Sequence, residues 1–143
     1  MALLSKMKTI DMQDMRHLNL FGKITQVRTR FCFNYNNLII FCVPKNLVSR
    51  AIGENGRNIK RINEILSKKV KVVSKPEGIH EIKRFVEAIV SPVTFKDLEV
   101  KDNEIILTAG FQSKAALIGR NRRRLHELQK ILKDYFGKEL RII

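Results

Sequence analysis

Two glycines three residues apart, Gly53 and Gly56, interrupt an apolar pattern and are followed at once by basic side chains. A glycine has no Cβ, so a phosphate group can approach the backbone closely at such a position. The apolar residues after Gly56 recur at three- and four-residue steps, which predicts a helix. The first N–H groups and the positive dipole end of that helix would attract an anion. The segment from Gly53 to Gly56 is therefore predicted to hold a nucleic-acid backbone.

The side chains around this first loop are expected to make different kinds of contact. Basic residues would contact phosphates, and isoleucines would form the walls of an apolar groove for unstacked bases. Glu54 is anionic and should not touch a phosphate itself. On its own, one Gly-x-x-Gly segment is more simply read as a helix–helix turn. The predicted site consists of the phosphate contacts Arg50, Arg57 and Lys60, the groove walls Ile52 and Ile59, the tip residues Glu54 and Asn55, and the glycines Gly53 and Gly56.

The charge of the whole chain favours a polyanionic partner. Its 143 residues include 28 Lys and Arg against 14 Asp and Glu, so the net charge is +14 and the pI is about 10.2. A nucleic acid is the first candidate and an acidic membrane surface the second, while a merely basic solvated surface is the plainest alternative. No apolar run reaches the ~18 residues of a membrane span, and residues 1–7 are too few for a signal peptide. We therefore expect a cytoplasmic protein with no membrane partner.

The two cysteines, Cys32 and Cys42, do not suggest a metal site. They lack a Cys-x-x-Cys spacing, and two ligands cannot close a zinc site. Asn36-Asn37 between them reads as a two-residue hairpin turn. In that register Cys32 lies opposite Phe41 and the sulfurs fall on opposite faces of the ribbon, so no disulfide is expected. A three-residue loop would change this register.

Residues for catalysis are not grouped in the sequence. His17, His80 and His126 are scattered, and none lies beside a cysteine or a paired carboxylate. A P-loop lysine motif is absent. We therefore expect a protein that is not an enzyme and that binds no metal and no cofactor.

The chain reads as a duplication of one α+β unit. Hydrophobic periodicity predicts the order helix, strand, strand, helix, helix, strand, and Ser74–Gly78 then breaks the pattern with a proline and a glycine. The same order follows a second time. We expect two domains, 9–74 and 78–143, each a three-stranded sheet with three helices on one face. Asp11 is the predicted N-cap of the first helix.

One constant shift superimposes the two halves at the level of single residues. It places Ile39-Ile40 on Ile105-Ile106 and Ala51-Ile52-Gly53 on Leu117-Ile118-Gly119. Chance does not easily keep one register through a strand, a loop and a helix. The shift also carries the predicted helical stripe Ile59, Ile62, Ile65 and Leu66 onto Leu125, Leu128, Ile131 and Leu132.

The first loop resembles the signature of the KH family. Ile52-Gly53-Glu54-Asn55-Gly56-Arg57-Asn58-Ile59-Lys60-Arg61-Ile62 looks like Ile-Gly-x-x-Gly-x-x-Ile-x-x-Ile, and the order of elements is similar to the type II (prokaryotic) arrangement. Two such units in tandem, led by Asn19–Thr25, resemble the short archaeal form of the NusA transcription factors. The resemblance implies single-stranded RNA as ligand, about four nucleotides per unit, and a role in transcription elongation, pausing or termination. RNA polymerase is then a candidate partner, and a monomer is expected.

The second loop departs from the KH pattern. It keeps Gly119 and replaces the second glycine by Arg122, which places a Cβ where a phosphate could otherwise come close. Four guanidinium groups around the same helix start could form a charge clamp instead. A solvated helix face is the alternative for this arginine run. The predicted residues of the second site are Gly119, Arg120, Asn121, Arg122, Arg123 and Arg124.

Other functions remain open at the level of sequence. A ribosomal or RNA-assembly protein of the type II KH kind is the alternative, although such proteins normally use one unit. A nuclease or RNA-modifying enzyme would need an acid/base constellation that the chain lacks. Single-stranded DNA remains a possible ligand, because contacts to the backbone do not by themselves read the 2′-hydroxyl. Larger members of the NusA family carry polymerase-binding and S1 domains, for which these residues leave no room.

Overall fold

The structure, a computed structural model, describes residues 12–143. These residues divide into two compact units, 12–75 and 76–143. Both units are α+β and both contain one three-stranded sheet, as the sequence predicts. The predicted domain start at residue 9 and the predicted N-cap Asp11 lie outside the described residues.

The first unit has the predicted order of elements. Two 3-10 turns, Lys45–Leu47 and Glu54–Gly56, come immediately before its second and third helices. Strand β2 is central, because β1 pairs with it in antiparallel fashion and β3 in parallel fashion. The elements are α1 Met12–Thr25, β1 Phe31–Tyr35, β2 Leu38–Val43, α2 Val48–Ile52, α3 Arg57–Leu66 and β3 Lys69–Ser74.

The hairpin of β1 and β2 has the predicted register. Asn36 and Asn37 have φ of 51° and 62°, the pair of positive values that a type I′ two-residue turn requires. Cys32 therefore pairs with Phe41, and both cysteines are free and buried. Burial raises the pKa of the Cys42 thiol well above its ordinary value. Burial therefore disfavours the thiolate, which is the reactive form of a cysteine.

One face of the central strand carries the core of the first unit. Ile39, Phe41 and Val43 alternate along β2 and pack against residues of all three helices, with the rings of Phe21 and Phe41 stacked at 4.2 Å between centroids. Helices α2 and α3, with the first loop between them, connect β2 to its parallel neighbour β3.

The predicted stripe on α3 is wrong at one position. Ile62 is completely buried, whereas the side chain of Ile65 is 53% exposed. At 100° per residue, Ile59, Ile62 and Leu66 fall within about 60° of one another, and Ile65 points well outside that arc. Because α3 packs on the core through one narrow face, a three-residue step is not enough to keep Ile65 inside.

The second unit repeats the order of elements of the first with different helix lengths. Its 3-10 turns are Ile79–Glu81 and Arg120–Arg122, and its sheet again has an antiparallel pair followed by a parallel pair. Helix α6 has 14 residues against 10 in α3, which is about one additional turn. The elements are α4 Ile82–Val90, β4 Asp97–Val100, β5 Glu104–Thr108, α5 Phe111–Ile118, α6 Arg123–Phe136 and β6 Glu139–Ile142. Within residues 12–143, every helix is too short or too polar to cross a lipid bilayer.

Candidate nucleic-acid interface

The first loop turns the chain between α2 and α3 with three unusual backbone conformations in a short segment. Gly53 ends α2 with φ 82° and ψ 167°, a region that only glycine occupies readily. Asn55 and Gly56 follow in the left-handed region, with φ of 57° and 73°. Arg57 then starts α3, so the first N–H groups of this helix lie directly beside the loop.

Asn58 fastens the loop to the end of α2. Its Nδ2 donates hydrogen bonds to the carbonyl oxygens of Arg50 and Ala51, each at 3.2 Å. These are carbonyl groups of the last turn of α2, which have no partner within the helix. The Asn58 side chain therefore holds the two helices at a fixed angle around the loop.

The two glycines have different surroundings. A Cβ on Gly53 would lie 2.9 Å from Cγ of Asn58, whereas a Cβ on Gly56 would have no atom within 4 Å. Gly53 is thus required for the turn and for close packing of Asn58. Gly56 is the glycine whose backbone is open to an approaching ligand.

The predicted residues of the first site fall into two groups. Four of them lie together around a shallow depression that begins at the loop tip and continues along α3. Of the others, Ile59 is half-buried and packs against the core, while Arg50 is exposed on α2. Ile52 is half-buried directly before the loop. The depression is lined by the predicted residues Glu54, Asn55, Arg57 and Lys60, and also by Arg61, Glu64 and Ile65.

The second loop has the same backbone as the first. Gly119 has φ 74° and ψ 174°, Asn121 has φ 56° and ψ 26°, and Arg122 has φ 59° and ψ 23°. Arg122 therefore adopts the left-handed conformation that Gly56 adopts in the first loop, although it carries a Cβ. The change from glycine to arginine alters the surface of the loop and not its path.

Arg124 takes the place of Asn58 in the second unit. Its Nη1 donates to the carbonyl oxygen of Ala116 at 3.1 Å, and Ala116 corresponds to Arg50 under the repeat shift. A Cβ on Gly119 would lie 2.9 Å from Cγ of Arg124. One of the four arginines predicted to bind RNA thus stabilises the loop, whereas Arg120, Arg122 and Arg123 are exposed on its surface.

Comparison with known proteins places the chain among archaeal relatives. It is 26% identical over 92 residues to the "Probable transcription termination protein NusA" of Methanococcus vannielii, a match that covers 64% of this chain and 51% of the relative. The protein of the same name from Methanocaldococcus jannaschii is 26% identical over 127 residues, covering 86% of this chain and 68% of the relative. This chain is NusA-like. The match spans about half the length of the first of these two relatives.

A solved structure shares the fold of nearly the whole chain. The crystal structure of APE1850 superimposes with a TM-score of 0.68 and 27% sequence identity, covering 94% of this chain and 100% of that one. No protein-family model matches the chain.

The structure of this NusA-like chain adds two residues that the sequence did not single out, Asn58 and Arg61. Asn58 and Arg124 occupy the same place in the repeat, and comparison of the two halves could have drawn attention to that position. Arg61 lines the depression on α3 beside Arg57 and Lys60, and its step of four residues from Arg57 was available in the sequence. No group of three or more His, Cys, Asp or Glu side chains within residues 12–143 could hold a metal ion.

Replacing Arg122 by glycine is expected to stabilise the second unit. The left-handed conformation costs a residue with a Cβ about 1 kcal/mol, and the greater freedom of glycine in the unfolded chain offsets part of that gain. We expect the free energy of unfolding to rise by up to about 1 kcal/mol, measured by chemical denaturation. Gly56→Arg in the first loop is the converse variant and should destabilise by a similar amount. A loss of stability in Arg122→Gly would contradict this account.

Proposed function

We propose that this protein binds single-stranded RNA through two tandem type II KH domains, 9–74 and 78–143, and acts in transcription elongation or termination. The observation that carries the proposal is the loop backbone that occurs twice, each time at the start of a helix and beside exposed basic side chains. The antiparallel-then-parallel sheet and the order of elements in each unit support the KH assignment. Similarity to proteins named for transcription termination supports the biological role.

Each loop would hold the RNA backbone by a different balance of contacts. At the first loop, the open backbone of Gly56 and the first N–H groups of α3 would receive a phosphate, with Arg57 and Lys60 beside it. At the second loop, Arg122 covers the equivalent backbone position, so guanidinium groups of Arg120, Arg122 and Arg123 would supply the contact instead. A strand that reaches both loops would bind more tightly than either loop alone allows.

The partners follow from this mode of binding. The transcript is the primary ligand, and RNA polymerase is the partner that a factor acting on a nascent transcript would meet. We propose a cytoplasmic monomer that uses no metal or cofactor in this role. Phosphate and sugar contacts position the strand, while bases splayed from it would be read by the groove beside Ile52.

The test is the salt dependence of RNA binding by the intact chain. Fluorescence anisotropy with a labelled single-stranded RNA should give log K that falls linearly with log salt, with a slope of about −0.7 per phosphate contacted. Three phosphates at each loop would give a slope of about −4. A duplex RNA of the same sequence should bind more weakly, because its bases are not available to the groove. A flat salt response would overturn the proposal.

Crosslinking in cells separates the transcription role from ribosome assembly. Recovery of nascent transcripts across many genes is the expected result. Recovery of ribosomal RNA alone would instead favour a ribosomal or RNA-assembly protein, and would refute the transcription role while leaving RNA binding intact.

A further inference from the structure

Phe111 is an aromatic side chain that is exposed to solvent instead of packed in the core. It is the first residue of α5 and is 91% exposed, the largest exposed fraction among the large apolar side chains of residues 12–143. Leaving a phenylalanine in water forgoes the stabilisation that its burial would provide. Because packing does not explain this residue, its position on the surface is informative.

The position of Phe111 connects it to the second loop. Lys114 and Ile118 lie three and seven residues further along α5, so the three side chains share one face of the helix. Seven residues correspond to a rise of about 10 Å, and Ile118 directly precedes Gly119 of the loop. This α5 face, defined by Phe111, Lys114 and Ile118, therefore leads from an exposed aromatic ring to the loop.

The charges around Phe111 fit a polyanion. Cε of Lys96 lies 3.8 Å from the position that a Cβ on Gly110 would occupy. The side chain of Lys96 therefore lies beside the start of α5. Lys114 follows on the α5 face, and the exposed Arg120 and Arg122 lie at the other end. A single aromatic ring among cations is a poor patch for protein docking, which needs contiguous apolar area. It is the combination that single-stranded nucleic-acid sites use, with aromatic rings for bases and cations for phosphates.

The two units differ at this position in a way that matches their loops. Lys45 occupies the place of Phe111 in the first unit, where the loop has the open backbone of Gly56. The second unit has Arg122 in its loop and the aromatic ring on α5. We propose that Phe111 is a base-stacking platform for an unpaired base of the RNA strand held at the second loop. The proposal rests on the proposed function, and the reach of about four nucleotides per KH loop covers the 10 Å between ring and loop.

The test compares Phe111→Leu with Phe111→Trp in the full chain, using a labelled single-stranded RNA. Leucine keeps the apolar character and removes the aromatic face, so its affinity should fall about 5- to 150-fold, the range for loss of one stacked base. Tryptophan should bind at least as tightly as the wild type. The chain contains no other Trp, so stacking should quench the fluorescence of Phe111→Trp when RNA saturates it.

The control is Ile79→Ala, which truncates another half-exposed apolar side chain of the same unit and should leave affinity unchanged. An unchanged affinity in Phe111→Leu, or unquenched tryptophan at saturation, would overturn the stacking role while RNA binding by the loops stands. Equal losses in the leucine and tryptophan variants would also overturn it. If the wild type binds no single-stranded RNA, the proposed function itself fails, so the two failures are distinguishable.

Discussion

The double replacement of Glu54 and Asn55 by aspartate is expected to weaken RNA binding at the first loop by one to two orders of magnitude without unfolding the protein. Asn55 is exposed in the left-handed region with φ 57°, which aspartate tolerates well. The new carboxylate would lie at the loop tip, and the shorter side chain at position 54 would bring the other carboxylate closer to the backbone. A like charge at ~4 Å near a protein surface costs about 4 kcal/mol before screening. Because salt screens part of this repulsion, we expect the free energy of RNA binding to weaken by about 2 kcal/mol.

The measurement is anisotropy with a short single-stranded RNA in the background of Arg120→Gln and Arg123→Gln, so that the first loop dominates binding. Circular dichroism and the melting temperature check the fold. Asn36→Asp is the matched control, because Asn36 is also exposed with a positive φ of 51° and lies in the hairpin turn before β2, outside the residues that line the depression. If both variants bind alike, the first loop is not the site.

The duplication was the most predictive feature of the sequence. Two strands joined by Asn36-Asn37 are expected to use the type I′ turn, the common two-residue turn with positive φ at both positions. This turn determines the register of β1 and β2 that the structure shows. Because one shift relates the strands, loops and helices of the two halves, an ambiguous segment in one half could be assigned from the other. The α+β class and the two sheets follow from these local signals.

Sequence patterns did not predict the side-chain hydrogen bonds that stabilise the two loops. Periodicity places Asn58 near the start of α3, but it does not say that its side chain reaches back to carbonyl groups of α2. Arg124 likewise belongs to an arginine run whose charge suggests RNA contact, whereas its guanidinium donates to Ala116. Such bonds depend on the angle between two helices, which the Gly53 and Gly119 backbones determine.

Sequence patterns also failed to predict which apolar side chains are exposed. Ile65 and Phe111 are residue types that usually lie in a core, and each falls at a spacing compatible with burial. Their exposure depends on how wide a face each helix presents to its sheet, which is a property of the packed unit. An aromatic residue at a helix start carries no sequence signal that separates stacking from packing.

Replacing Gly53 by alanine is expected to destabilise the first unit by about 2 kcal/mol or more, and to lower the melting temperature by roughly 10 °C. The backbone of Gly53, with φ 82° and ψ 167°, lies in a region that costs other residues about 1–3 kcal/mol. The new Cβ would also approach Cγ of Asn58 at 2.9 Å. Asn58 cannot move away without giving up its hydrogen bonds to Arg50 and Ala51, so strain and lost bonds add.

Two alanine variants make this result decisive. Gly22→Ala lies within α1, where the nearest atom to the new Cβ is 3.9 Å away and alanine is the better helix former, so it should stabilise by up to about 1 kcal/mol. Gly56→Ala meets no atom within 4 Å and should cost at most about 1 kcal/mol through its left-handed backbone.

If phosphate approaches there, Gly56→Ala should nevertheless lose RNA affinity, whereas Gly53→Ala should lose stability first. Thermal melts and RNA binding measured on both variants distinguish the structural role of Gly53 from the ligand-facing role of Gly56. Equal melting temperatures for the two variants would contradict this difference.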